Sequence, residues 1–200
     1  ALYTASQMGI PTFIQEQNSF PGITNKKLAP KASGIYVAYE GMEKFFPENK
    51  IHNTGNPVRK SLFTQSLSQE EAKKTLGLDP GKLTIFSVGG SLGSRTLNNF
   101  WKENAKNIIN SGVQVFWQTG KLDYQTLIQD TNNEHPDIII SEFIKDMATA
   151  YAAADIIISR AGAIAISELC LAGKPTILIP FPYAAEDHQT KNAQQLANHK

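Results

Sequence analysis

Apolar residues in this chain fall into short unbroken runs, and stretches with a helical repeat separate them. The runs Leu83–Val88, Val113–Gln118, Asp137–Ser141, Asp155–Ser159 and Thr176–Ile179 are expected to be strands, as are Thr12–Gln15 and Gly34–Ala38. Most of the later runs are continuous Val, Ile, Leu and Phe rather than alternating apolar and polar residues. That is how a strand reads when helices cover both faces of a parallel sheet. Helical repeats are predicted over Ser94–Asn110, Leu122–Asn132, Met147–Ala154, Ala163–Ala172 and His188–Asn198. The alternation of strand and helix predicts a doubly wound α/β architecture.

The pattern changes between Asn53 and Ser68. Gly55-Asn56-Pro57 is a turn signal, and Ser61–Ser68 is polar and aperiodic. Ser68 with Glu71 forms a capping box for a helix that Gly77 ends. These signals place a domain boundary near Arg59. Residues 1–58 are expected to be the C-terminal part of one α/β domain, and residues 59–200 a second domain truncated at its end. Ala1–Gly9 reads as the end of a helix with no basic head and no initiating methionine, so the chain is expected to begin inside a larger protein.

Composition narrows the function classes. Hydrophobic residues are 41% and charged residues 18%, within the globular range, and the net charge of +1 gives no global field for nucleic acid. No apolar run approaches the roughly 18 residues that span a bilayer. Cys170 is the single cysteine, which excludes an internal disulfide; among Leu169, Leu171 and Ala172 it is expected to be a buried, inert thiol. His52, His135, His188 and His199 are too scattered for a metal site.

The candidate chemistry lies at strand ends. Val88-Gly89-Gly90-Ser91-Leu92-Gly93-Ser94-Arg95 links a strand to a helix; it is either a tight turn or a diphosphate loop that uses Ser91 and the first helical N–H groups. It is neither a dinucleotide fingerprint nor a P-loop. Gln118-Thr119-Gly120-Lys121 is a second loop of this kind or an ordinary turn. In Glu142-Phe143-Ile144-Lys145-Asp146-Met147, the backbone of Ile144 can meet a base edge, or its side chain simply packs the core. Arg59 is a linker residue or a cleft-facing guanidinium. Ser159-Arg160-Ala161-Gly162-Ala163 opens a helix that carries Ser167 and Glu168. There Glu168 suits ribose hydroxyls, or alternatively a surface salt bridge. After Pro180, Asp187, His188, Gln189 and Asn192 suit a sugar, with helix capping by Asp187 as the plainer reading. Lys26, Lys27 and Lys31 form a solvated basic face, or contact anionic lipid or a pyrophosphate.

Taken together these pieces resemble the MurG family of cell-wall glycosyltransferases. The matching residues are Glu16-Gln17-Asn18, Gly22-Ile23-Thr24-Asn25-Lys26, Gly55-Asn56-Pro57-Val58-Arg59, Val88 through Arg95, Glu142-Phe143-Ile144, Arg160-Ala161-Gly162-Ala163 through Ser167-Glu168, and Gln189 with Asn192. They occur in the family's order with similar spacing, which is more specific than any piece alone.

The resemblance implies a GT-B fold of two doubly wound domains facing a cleft, with UDP-N-acetylglucosamine held mainly by the C-terminal one. It gives uracil to the Ile144 backbone, the ribose to Glu168 and the diphosphate to Ser91. Arg59 would reach the nucleotide from the hinge, Asn18 and Gln189 would border the sugar, and Ala163, Ile164, Ala165, Ile166 and Ser167 would line the pocket. The implied reaction transfers N-acetylglucosamine, with inversion, to undecaprenyl-diphospho-muramoylpentapeptide at the cytoplasmic membrane face, with no cofactor and no essential metal. Gln15 stands where the family commonly has His, and Ala161 where it often has Ser. The family's N-terminal Gly-rich loop, with its proposed catalytic His, has no counterpart here, so the chain is expected to bind donor without transferring it. Rival expectations are another GT-B UDP-sugar enzyme, or a non-catalytic UDP-sugar-binding subunit of a split transferase.

Overall fold

The computed structural model describes residues 1–64, 67–130 and 135–198. In chain order they form α1 (Leu2–Gln7), β1 (Phe13–Glu16), α2 (Ile23–Leu28), β2 (Gly34–Val37), β3 (Ile51–Asn53), α3 (Ser61–Thr64), α4 (Gln69–Thr75), β4 (Thr84–Val88) and α5 (Arg95–Ile109). These are followed by β5 (Gln114–Gln118), α6 (Tyr124–Asp130), β6 (Ile138–Ser141), α7 (Met147–Ala153), β7 (Ile156–Ser159), α8 (Ala163–Ala172), β8 (Thr176–Leu178) and α9 (His188–Asn198). The helical pattern expected to run to Asn132 ends outside the described residues, as does His199. No helix among the described residues is long and apolar enough to cross a membrane.

The chain forms two compact units. One comprises Ala1–Val58, Ala161–Ser167 and Pro180–Lys200; the other comprises Arg59–Arg160 and Glu168–Ile179. A linear division would give every residue after 58 to one domain. Two later segments instead join the first unit, where buried Asn192 bonds to Asn18, Ser19 and Ala161, and Asn56 bonds to Ser167.

In the second unit five parallel strands lie in the order β6-β5-β4-β7-β8. Phe86, Val88 and Phe116 pack on one face with Ala150, Tyr151 and Leu169. Val115 and Trp117 pack on the other face with Trp101, Ala105 and Leu127. Burial on both faces explains why β4 and β5 read as continuous apolar runs. Helix starts follow their caps: Ser68 and Glu71 close the capping box of α4, Ser94 accepts from Leu97 N–H at α5, and Asp146 accepts from Thr149 N–H at α7.

Below this sheet, the Asp155 carboxylate accepts from Lys73 Nζ and Thr84 N–H, each at 2.8 Å, and from Gln69 Nε2 at 2.8 Å. Burial alone would raise the Asp155 carboxyl. The bonds from Lys73, Thr84 and Gln69 outweigh it and hold the group below the ordinary carboxylate value. A depressed folded-state pKa gives stability that is present above the unfolded value and lost as pH falls through the folded one. Resistance to urea unfolding is therefore expected to fall from about pH 5 downward. Asp155→Asn should flatten that acid limb and cost about 3 kcal/mol at neutral pH, because Lys73 is left buried without its counter-charge. An unchanged acid limb would contradict this.

The first unit carries a parallel sheet in the order β1-β2-β3. Ile14, Ile35 and Val37 face a core with Ala29, Ala32, Met42 and Phe46. On the opposite face Phe13, Tyr36 and His52 stack across the strands.

Three local readings change. β3 has no counterpart among the expected strands, because Ile51-His52-Asn53 is too short to show a period. The segment read as aperiodic begins with the helical turn α3. Cys170 is exposed rather than buried, because α8 turns Ile166 and Leu169 inward and the next residue points about 100° away. Partial burial still pushes its thiol pKa up, so it remains a poor nucleophile.

Candidate functional site

The C-terminal edge of the five-stranded sheet is where a doubly wound sheet binds ligands, and three expected residues of the second unit, Ser91, Ile144 and Glu168, follow its strands, while Arg59 precedes β4. After β4 the chain turns at Gly90, with Gly93 N–H donating to the Gly90 carbonyl at 3.0 Å. Ser91 is exposed on this turn. Its loop is braced by the loop after β5: a Cβ on Gly93 would land on the Thr119 carbonyl, and Gly93 itself has φ +82°. Only glycine fits there. The 15-residue α5 begins immediately beyond, so its unpaired N–H groups and positive dipole end adjoin the loop.

Asn98 on α5 locks this pair of loops. Its Nδ2 donates to the Thr119 carbonyl at 2.9 Å and to Asp123 at 2.8 Å, while its Oδ1 accepts from Trp117 Nε1 at 3.0 Å. The side chain is buried and every polar atom is paired. In the sequence Asn98 shows only as a position in a helical repeat. Its partners lie more than 18 residues away in the chain, and no local pattern signals them.

Ile144 sits in the loop after β6 with its side chain in the core, while its N–H donates to Gln118 Oε1 at 2.9 Å. The core-packing reading therefore holds for the side chain, and with the N–H taken by Gln118 the backbone carbonyl is the group left for a base. Glu168 on α8 is partly buried and accepts from the Tyr151 hydroxyl at 3.1 Å. Among the described residues no lysine or arginine forms an ion pair with it. Burial first, and the neighbouring Glu168 charge second, raise the Tyr151 phenol far above its ordinary value, so it stays a donor. Arg59 is exposed and close enough to Tyr151 to act on it electrostatically. Tyr151 and Glu168 thus form one corner, within electrostatic reach of Arg59 through Tyr151. Tyr151 escaped the sequence reading because it resembles any core aromatic on a helix.

The remaining expected residues belong to the first unit. Asn18 is committed on both sides of its amide, donating to Glu16 Oε1 at 3.2 Å and accepting from Asn192 Nδ2 at 3.1 Å. Buried Glu16 also accepts from Gly22 N–H and Asn25 Nδ2, so it organises the whole turn after β1. Ala163 and Ile166 are buried and Ile164, Ala165 and Ser167 partly so; Ser167 Oγ donates to the Ala163 carbonyl and accepts from Asn56. Gln189 Oε1 accepts from Phe181 N–H at 2.9 Å. Glu186 and Asp187, just before α9, have φ of 55° and 53°, an uncommon left-handed pair for non-glycine residues. Lys191 donates to the Glu186 carbonyl, and Lys26 pairs with the Glu186 side chain at 3.7 Å.

Comparison with known proteins bears on this arrangement. Residues 84–200 match the family model of the glycosyltransferase family 28 C-terminal domain. A Bacteroides fragilis UDP-N-acetylglucosamine–N-acetylmuramyl-(pentapeptide) pyrophosphoryl-undecaprenol N-acetylglucosamine transferase is 54% identical over 200 residues, covering 98% of this chain and 53% of that protein. The protein of the same name from Phocaeicola vulgatus is 56% identical, with the same coverage. The crystal structure of Acinetobacter baumannii MurG superposes with a TM-score of 0.69 at 32% identity, covering 98% of this chain and 53% of that one. The chain spans about half the length of the curated relatives it matches.

Proposed function

The chain belongs to glycosyltransferase family 28, with the parallel α/β architecture of the GT-B type, and from that premise we propose that it binds UDP-N-acetylglucosamine for a peptidoglycan N-acetylglucosaminyltransferase. The observation that carries this reading is the sheet edge of the second unit. There a glycine turn with exposed Ser91 follows β4, the backbone of Ile144 follows β6, and α8 after β7 carries a carboxylate bonded to Tyr151.

Each part matches a piece of a UDP-sugar. The turn and the start of α5 offer N–H groups to a diphosphate, whose charge grows as it leaves the sugar. Ile144 presents its backbone carbonyl to uracil, and Glu168 accepts from the ribose hydroxyls. Arg59 adds a positive charge to the same corner. Asn18, Gln189 and the run Ala163–Ser167 are assigned to the sugar and its surroundings by the family resemblance. In the reaction the acceptor's 4-hydroxyl gives up its proton to a general base as its oxygen attacks the anomeric carbon, the bond to UDP breaks with its electron pair leaving on the diphosphate, and the configuration inverts. The acceptor is an undecaprenol-linked muramoyl-pentapeptide, so the work takes place at a membrane surface, which we place on its cytoplasmic side.

The test is transfer of labelled N-acetylglucosamine from UDP to a lipid-linked muramoyl-pentapeptide by the full-length protein that carries this chain. The expected result is labelled lipid product that depends on both substrates. Transfer from UDP-N-acetylglucosamine only to a different acceptor would overturn the assignment.

A further inference from the structure

We infer that Gln118 is a positioning residue for the nucleotide: its buried amide fixes the diphosphate turn after β4 against the Ile144 backbone after β6. The inference rests on the nucleotide-site reading above. Gln118 is the last paired residue of β5, opposite Val88 of β4 on one side and Ser141 of β6 on the other. From this central place its Nε2 donates to the Gly90 carbonyl at 2.9 Å, and its Oε1 accepts from Ile144 N–H at 2.9 Å. The residue is 3% exposed, so water does not replace either bond.

The two partners determine which way the amide faces, since one is an acceptor and the other a donor. Glutamate has no donor for Gly90, and asparagine is one methylene too short to span both loops. The Gly90 carbonyl takes a second bond from Gly93 N–H, so it is held toward the protein from two sides. A trans peptide is planar, with C=O and the following N–H pointing in opposite directions. Pinning the Gly90 carbonyl inward therefore turns Ser91 N–H outward, the orientation a bound diphosphate requires. The same side chain fixes Ile144 relative to that N–H. A ligand with both a base and a diphosphate benefits from the fixed spacing, and a ligand with only one of them does not.

The test compares UDP with uridine, each titrated by calorimetry or NMR into the wild-type protein, Gln118→Met and Gln118→Glu. Methionine keeps the volume and removes both bonds; glutamate keeps the acceptor for Ile144 and sets an oxygen against the Gly90 carbonyl. Affinity for UDP is expected to fall by about tenfold or more in both variants, while uridine loses less than about threefold. Hydrogen exchange at the Ile144 amide should accelerate in Gln118→Met and stay slow in Gln118→Glu. Equal weakening of UDP and uridine means a merely structural residue and overturns the inference, as does unchanged UDP affinity. A wild-type protein that binds no UDP overturns the nucleotide reading itself, and that result is visible before any variant is measured.

Discussion

Glu168→Ala is expected to weaken binding of UDP-N-acetylglucosamine by about 30-fold while the fold is kept. Hydrogen bonds to a charged acceptor contribute about 1.5–3 kcal/mol each, so losing one ribose contact already reaches a factor of ten or more. Glu168 is partly exposed and, among the described residues, its bonded partner is the Tyr151 hydroxyl, so truncation leaves no buried cation unpaired. Two further variants separate the charge from its support. Glu168→Gln keeps an acceptor oxygen and should retain part of the affinity. Tyr151→Phe keeps the carboxylate but frees its rotation, so a smaller loss is expected. Calorimetric titration of the three variants reads this order directly. A wild-type affinity in Glu168→Ala would remove Glu168 from the ribose.

Gly93→Ala is expected to destabilise the protein and abolish diphosphate binding together. Gly93 has φ +82°, and the added Cβ would meet the Thr119 carbonyl, which Asn98 holds in place. Backbone strain of this kind costs about 1–3 kcal/mol, and the collision adds to it. For a chain of this size, a melting point lower by about 5–10 °C follows. Gly112→Ala is the control: its φ is +88°, but the new Cβ has nothing within 4 Å. That variant should lose only the strain and keep its UDP-induced shift in melting temperature. If Gly93→Ala behaved like Gly112→Ala, the close approach of the two loops would not matter for binding.

The regular elements of the second unit were legible because both faces of its sheet are buried. That burial leaves continuous apolar strands and helical repeats, so β4, β5, β6 and β7 and the helices α5, α6 and α7 all fall within the stretches expected to hold them. Boundaries shifted by a residue or two where caps such as Ser94 sit outside the helix. β3 was not legible: three residues with a polar middle carry no period, and the strand exists because β2 pairs with it. The residues expected on the strand ends are read from glycine spacing and from family order. Their supports were not, because Gln118, Asn98 and Tyr151 act through partners 17 or more residues away in sequence. Asn192 is the same kind of case, buried by bonds to residues 31 and 174 positions distant. Cys170 shows the reverse error, since apolar neighbours in sequence do not bury a residue on the outer side of a helix.

The central claim is that this chain holds a uridine diphosphate sugar. Calorimetric titration of the protein with UDP-N-acetylglucosamine, an ADP-sugar and NAD tests it most directly. The account predicts saturable binding of the uridine ligand, at least about tenfold tighter than either adenine ligand, as a base read by the Ile144 backbone requires. Equal affinity for all three, or a preference for the adenine ligands, would contradict it.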